Sequence, residues 1–395
     1  IIDKTSSAMG ARMLRNWVVM PSKSLVEIIQ RHDAVEFLLS DESLSSILHQ
    51  RISAMGDLER IISRVASGRV SPRELMQLYR GLEQMLPIKS ILTKNGKNAP
   101  LYREASMIDE CLSLKELLAK SLVEEPATQI GKGDVIASGV DNELDELRNI
   151  VHNGKSIIQD IQVREMQRTG ISSLKISYNN VFGYYLEVRN AHKDKEPQEL
   201  IRKQTLVNAE RYITQELKEY EEKILGAEDR IYVLEQGIYA ELVASVQKEI
   251  HNIQQSSAIV ARIDTLAGFA ELAVTNRYCR PEISEDLVLD IKQGRHPVIE
   301  TLMAPGEEYI ANDLMLDNDS QQIIILTGPN MAGKSALLRQ TALIVLMAQI
   351  GSFVPAESAH IGITDKIFTR VGASDNISRG ESTFMVEMME VANIL

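Results

Sequence analysis

The sequence predicts a multidomain, mainly α-helical protein: a helical body, long antiparallel coiled-coil arms with a small β-sheet at their tip, and part of an α/β phosphate-loop domain. Three observations carry this. Two proline-free segments repeat apolar residues at steps of three and four. A β-rich stretch lies between them. A glycine loop, "GPNMAGKS" at 328–335, follows the apolar run Ile323 to Leu326 and precedes a helix-like stretch.

A chain of 395 residues is long enough for two or three cores. Sparse aromatics and abundant Leu, Ile, Ala, Glu and Met lean helical. The formal charge of −12 argues against a chain that coats nucleic acid along its whole surface. Cys111 and Cys279 form no CxxC pair and are too few for a disulfide scaffold, so both are expected reduced, in a cytoplasmic protein. No apolar run reaches the ~18 residues a membrane span needs, and no signal peptide is expected. The chain opens on Ile1 rather than Met and stops in the apolar stretch Ala392 to Leu395, so both ends read as cuts through a longer protein.

The first 140 residues read as a helical scaffold. Thr5 or Ser6 caps a helix through Met9, Met13, Leu14 and Trp17, and Pro21 stops it. Apolar-periodic stretches follow at Leu25 to Leu39, Leu58 to Val65, Pro72 to Met85 and Leu101 to Leu122. The first arm carries Leu144, Leu147, Val151, Ile158 and Ile161, with Gly154 in the seam. Extended to Arg168, it spans roughly 40 Å. The second carries Leu217, Tyr220, Ile224, Ala227, Ile231, Leu234 and Ile238, then steps of four through Leu242, Val246 and Ile250. Read from Thr214 to Ser256, it spans roughly 65 Å.

Between the arms, Leu174, Ile176 and Tyr178 alternate, Asn179 and Asn180 can turn, and Val181 to Val188 is β-rich. Gln204 to Ala209 is a third candidate strand. From Gly170 to Tyr212 there are seven Lys and Arg against five Asp and Glu, a net +2 that leaves −14 on the rest. A positive tip on an acidic body suits contact with phosphates through point charges.

After Ser284 the pattern becomes α/β. "DLVLDIKQG" and "YIANDLML" read as strand-like, Asp317 to Ser320 as a turn, and "QQIIILT" as a buried parallel strand. The loop Gly328, Pro329, Asn330, Met331, Ala332, Gly333, Lys334, Ser335 fits G-x-x-x-x-G-K-[ST]. Strand, glycine loop and helix start would aim backbone N–H groups at one point. Lys334 adds a charge for the β and γ phosphates, and Ser335 a hydroxyl for Mg²⁺. Tyr309 offers either a ring for a purine or a core aromatic. Ser382 and Thr383 sit where helix caps belong, at a candidate anion site. Hydrolysis also needs an acid at the end of a second strand. No apolar run ending in Asp or Glu follows the loop, so weak or no ATP turnover is expected of this chain alone.

Several stretches together resemble the MutS mismatch-repair family. "TGPNMAGKS" is similar to its Walker A motif, "GRHPVIE" to a segment just before the ATPase, and "SRGESTFMVEMMEVANIL" to the loop and helix after it. "SLKISYNNVFGYYLEV" with "RKQTLVNAERYI" resembles its clamp, and "DKTSSAMGARMLRNWV" the start of its core, or lever, domain. The resemblance implies a lever domain at 1–157 and 217–283, a clamp at 158–216 and the first part of an ABC-like ATPase at 284–395. It implies ATP or ADP with Mg²⁺ as cofactors. Tyr309 would stack on adenine, the backbone of Ile310 would meet the base edge, and Asn330 would stand near the γ-phosphate. Ser382 would complete the partner subunit's site. Ala332 and Ala336 occupy positions where family members often have Gly and Thr, and a methyl at 332 restricts φ. Lys175, Asn179, Lys203, Thr205 and Asn208 are the candidate contacts to the DNA backbone. The resemblance further implies mismatched double-stranded DNA, a homodimer and MutL as partners, no membrane, and a cytoplasmic, nucleoid-associated bacterial location. A second reading, a coiled-coil chromosome-tether (SMC-like) ATPase arm, would use the tip as a hinge dimer; the Asn- and Tyr-rich three-strand tip speaks against it.

Overall fold

The computed structural model describes residues 1–179, 183–189, 201–205, 209–304, 306–329, 333–369, 388 and 391–392. In chain order its elements are α1 (Ala8–Val19), α2 (Leu25–Leu39), α3 (Glu42–Met55), α4 (Leu58–Ala66), α5 (Pro72–Thr93), α6 (Tyr102–Ser106), α7 (Leu112–Ser121) and α8 (Asn142–Thr169). Then come β1 (Lys175–Asn179), β2 (Gly183–Arg189), β3 (Ile201–Thr205), β4 (Ala209–Ile213), α9 (Gln215–Lys248) and α10 (Ile250–Asn276). The last group is β5 (Glu282–Ser284), β6 (Val288–Gly294), α11 (Pro297–Leu302), β7 (Asn312–Asp317), α12 (Lys334–Ile350) and β8 (Ser358–Gly362). The fold is mainly helical with two small sheets, as the composition predicts. It divides into two compact units: Ile1–Ser63, Arg80–Cys111 and Ile250–Leu395 in one, Arg64–Tyr79 and Leu112–Glu249 in the other. None of the described helices is long and apolar enough to cross a membrane; Cys111 is buried and Cys279 half-buried.

The second unit is built on the two long helices. Asp141 starts α8 by accepting the Leu144 N–H at 2.8 Å, and Gly170 ends it in the left-handed region. Thr214 starts α9 by accepting the Leu217 N–H at 3.1 Å. The helices run antiparallel, joined by Arg148–Glu235 at 2.7 Å, Lys155–Glu228 at 3.1 Å and Arg164–Glu216. Glu235 is buried, so Arg148 compensates a charge that would otherwise be costly there. Where the sequence places Gly154 in the seam, an added Cβ would lie 2.7 Å from Ile224 Cγ1.

Between α8 and α9 stands a four-stranded antiparallel sheet of order β1-β2-β4-β3. Its apolar face (Leu186, Val188, Tyr212) shares one core with Ile158, Leu174, Leu217 and Ile224, seating the sheet on the helix ends. Of the third candidate strand, Gln204 to Ala209, the described residues are divided between two strands. They lie at the end of β3 and the start of β4, which pair with each other. Asn180, Val181 and Leu206 to Asn208 lie outside the described residues.

Other sequence boundaries move for local reasons. Ser7, rather than Thr5 or Ser6, caps α1. The Pro72 helix continues through Pro87 to Thr93, and the Leu101 to Leu122 pattern breaks into α6 and α7 at Cys111, whose φ is +45°. The second arm ends at Lys248, not Ser256. Glu249 has φ −98° and ψ 3°, and its N–H turns to the Gln247 and Val246 carbonyls. Beyond it α10 is apolar on nearly every side, with Val260, Ile263, Leu266 and Phe269 all buried, so it belongs to a core rather than a seam.

The first unit is organised around α10. The buried carboxylate of Asp264 accepts the N–H groups of Ser6 (2.8 Å) and Ser7 (2.9 Å) and the Ser7 hydroxyl (2.6 Å), while Ser7 Oγ accepts the Gly10 N–H. This pins the start of α1. Arg31 on α2 is buried; its guanidinium lies 3.6 Å from the Trp17 ring centre, pairs with Glu27 at 2.6 Å, and donates to the Ile350 carbonyl at 2.9 Å. Gln349 donates to the carbonyls of Ser22 (3.1 Å) and Thr364 (2.9 Å). The carboxyl end of α12 is thereby fastened to α2. The sheet of this unit has order β5-β8-β6-β7, with β5 parallel to β8 and the other pairs antiparallel.

His32, beside Phe353, is buried, and burial with the nearby Arg280 charge holds its pKa down to about 4. The unfolded chain takes up that proton below its ordinary value of about 6.5; the folded chain resists until about 4. Stability is therefore expected to fall as pH drops through that window, by roughly 3 kcal/mol from this group. Urea midpoints between pH 7 and 4 check this: His32→Gln should flatten the decline, and an identical decline in the variant would assign it elsewhere.

Candidate functional site

The phosphate-loop sequence folds at the start of α12. Gly328 has φ +154° and Gly333 φ +82°, conformations that side-chain-bearing residues rarely adopt. Gly333 caps α12 with no side-chain hydrogen bond, so the cap residue itself leaves the first N–H groups of that helix open. The Lys334 ammonium lies 2.5 Å from the Gly328 carbonyl and 2.6 Å from the Pro329 carbonyl. Ser335 follows on the exposed side of the first turn. Helix-start N–H groups, a left-handed glycine and a lysine ammonium are the elements a phosphate chain needs, and the donor set fits one. Asn330, Met331 and Ala332 lie outside the described residues, as does Ser382.

One expectation fails here. Residues 321–329 are not a strand, and Ile323 and Ile325 are 80% and 85% exposed. A parallel strand exists only where neighbours supply its ladder. Among the described strands, β5 to β8 pair with each other and none pairs with this run. The apolar run was legible; its partners are not among the described strands.

Tyr309 is half-buried, and its hydroxyl donates to Oε1 of Gln340, on α12, at 2.9 Å. Burial, with Glu300 nearby, pushes its phenol pKa up. Beside it opens a polar cavity of about 440 Å³, walled by Arg277, Arg295, Glu300, Thr301, Glu307 and Tyr309. Ile310 is exposed, and its carbonyl accepts Asn312 Nδ2 at 2.9 Å. A larger, mostly apolar cavity of about 820 Å³ runs along Ala336, Arg339, Leu343 and Leu346 of α12. It touches Ala336, just after the motif, but neither Lys334 nor Tyr309, so the loop and the polar cavity are the better candidates for nucleotide chemistry. Gln340, which meets Gly294 beside Tyr309, was not singled out from sequence. A glutamine inside an apolar helix stretch was the available signal, and α12 has two, Gln340 and Gln349.

The tip residues are not gathered in one place. Lys175 lies on β1, and Lys203 and Thr205 on β3, at opposite edges of the sheet, about 14 Å apart across three strand spacings. All three are exposed, and Asn179 at the end of β1 is half-buried. Asn208 lies outside the described residues. Across the row from Lys175 come Glu187, Arg211 and Gln204. Arg211 is engaged there by Glu187 at 3.5 Å, Gln204 at 2.9 Å and the Tyr185 ring. Among the described tip cations, Lys175 and Lys203 at the edges face solvent, as does Arg189 at the end of β2.

A family model described as MutS domain III matches residues 1–270, and one described as MutS domain V matches 324–395. The chain is 59% identical over all 395 residues to the DNA mismatch repair protein MutS of Bacteroides thetaiotaomicron, covering 46% of that protein. It is 58% identical to that of Phocaeicola vulgatus, covering 45%, and 54% identical to that of Porphyromonas gingivalis, covering 44%, each over the whole chain. It thus spans somewhat less than half the length of these relatives. The chromosome-tether alternative finds no support in these matches. With one domain model covering more than half its length and relatives this similar across all of it, the chain belongs to the MutS family of DNA mismatch repair proteins.

Proposed function

We propose that this chain supplies the lever, the DNA-backbone clamp and the phosphate-binding half of an ATPase to a protein that holds mismatched double-stranded DNA. On this reading the lever is 1–157 with 217–283, the clamp is 158–216, and the ATPase portion begins at 284. The observation that supports it most is the start of α12, where Lys334 sits against carbonyls of the loop it would leave when phosphate arrives. Gly328 to Ala336 would wrap the phosphates of ATP or ADP. Asn330 would stand near the γ-phosphate, Ser335 would ligate Mg²⁺, and Tyr309 with the Ile310 backbone would receive adenine. Ser382 would serve the second subunit of a homodimer, and MutL would be a downstream partner. Bound Mg²⁺ would neutralise phosphate charge, while Lys334 and the helix N–H groups orient the chain of phosphates. At the tip, Lys175 and Lys203 would each meet a separate backbone phosphate, with Asn179, Thr205 and Asn208 as neutral donors. Such contacts hold DNA without reading it. The protein would act in the bacterial cytoplasm at the nucleoid.

One experiment with two arms tests this. The Lys175→Glu, Lys203→Glu double variant should bind duplex DNA at least ~10-fold more weakly, with the slope of log K against log salt reduced by about two. Lys334→Met should weaken nucleotide binding by ~10- to 100-fold and leave nucleotide-free DNA binding unchanged. An unaltered salt slope counts against the clamp, and unaltered nucleotide binding against the phosphate site.

A further inference from the structure

We propose that Gln340 is a positioning residue for the nucleotide base, acting through Tyr309; this rests on the nucleotide reading above. Gln340 lies on α12, in the second turn after Lys334, and is only 1% exposed. Its Oε1 accepts the Tyr309 hydroxyl. Its Nε2 lies against Gly294 at the end of β6, where an added Cβ would fall 2.8 Å away and only 3.2 Å from the Asn312 carbonyl oxygen. Three elements thus meet at one amide: the end of β6, the irregular segment before β7, and the helix whose first turn carries Lys334.

The arrangement has a consequence for binding. Residues 307–311 belong to no helix or strand, so nothing regular fixes the Tyr309 ring. The hydrogen bond at the far end of the ring fixes it to a side chain that is itself locked by burial. Because that side chain belongs to α12, the ring beside the polar cavity and the cation at the loop are set by one rigid helix. A base and a phosphate chain joined by a ribose are recognised at a fixed separation, and preorganising both ends removes an ordering cost at binding. The glycine at 294 makes the room: a methyl there would meet Gln340 Nε2 and Ile291 Cγ2, both at 2.8 Å.

The test separates base from phosphate by titrating the intact protein with Mg-ADP and, in parallel, with tripolyphosphate, which has no base. Tyr309→Phe keeps the ring and removes only the hydroxyl; Gln340→Met keeps the bulk and removes the acceptor. Each should weaken ADP binding by ~5-fold and leave tripolyphosphate binding within about twofold. The double variant should be no weaker than either single one, and Gln340→Glu, which keeps an acceptor oxygen, should restore most of the ADP affinity. Unchanged ADP binding by Tyr309→Phe overturns the proposal. So does equal weakening toward tripolyphosphate, which would make Gln340 a support of the helix only. If the unmutated protein binds tripolyphosphate as tightly as ADP, the base site falls and the phosphate site stands. If it binds neither, the nucleotide reading itself falls.

Discussion

Gly351→Ala should destabilise the unit containing α12 by about 3–5 kcal/mol, far beyond an ordinary glycine replacement. Gly351 ends α12 at φ +95°, where its N–H bonds to the Ala348 carbonyl and the next N–H to that of Met347. Any side chain there first meets the left-handed penalty of about 1–2 kcal/mol. It also meets Arg31: the new Cβ would sit 2.4 Å from Arg31 Cβ and 2.6 Å from Cδ. Those atoms are the root and middle of a side chain only 4% exposed, so it cannot swing aside. Moving it would strip the Ile350 carbonyl of its donor and take the guanidinium off Trp17 and away from Glu27. A buried cation without partners is among the costliest single defects. Gly96→Ala, in the same unit, is the control, with φ +90° and nothing within 4 Å of the new Cβ; it should cost only the conformational part. Urea unfolding followed by the fluorescence of Trp17, the chain's single tryptophan, reads both variants. Equal midpoints for the two would show that the Arg31 contact contributes nothing.

The second large effect is in the arms, where three glycines should respond in opposite directions. Gly154→Leu puts a branched side chain where even a Cβ meets Ile224 Cγ1 at 2.7 Å and Cδ1 at 2.9 Å. Ile224 is buried in the core that seats the tip sheet, so it has nowhere to retreat. Overpacking of this kind costs about 1–3 kcal/mol, and it would push α8 and α9 apart near their ion pairs. Gly226 and Gly237, both on α9, have nothing within 4 Å of an added Cβ. Gly226→Ala and Gly237→Ala should each gain about 0.5–1 kcal/mol by restricting the unfolded chain. Hydrogen exchange of the amides in 142–169 and 215–248 reports the arms directly. Protection should fall in the first variant and rise in the other two; a rise in all three would remove Gly154 from the seam.

Those arms were also the most legible part of the sequence. A repeat of three and four carried by Leu144, Val151 and Ile158, and by Leu217, Ile224 and Ile231, records one buried stripe. Its reason is local to each helix, so no knowledge of other elements is needed to see it. The glycine loop was legible for the same reason, since Gly333 and Lys334 act within a few residues of each other. What failed depended on distant partners. The run 321–327 has the composition of a central strand, but composition cannot say whether a ladder is available. Gln204 to Ala209 looked continuous because both halves of the β3–β4 hairpin are β-prone. Gln340 was invisible because its meaning comes from Tyr309, 31 positions away. That Lys175 and Lys203 share a basic segment was legible, but only the strand order shows that β2 and β4 lie between them.

The exposed run Ile323 to Leu326 carries a liability of its own. Three isoleucines and a leucine in a row, uncharged and without proline, with amide and carbonyl groups in no described ladder, resemble the edge of an open sheet. Handled at high concentration, the molecule should be prone to aggregate through this segment, and a charged gatekeeper at the most solvent-facing position, Ile325, would be the natural means of keeping it in solution.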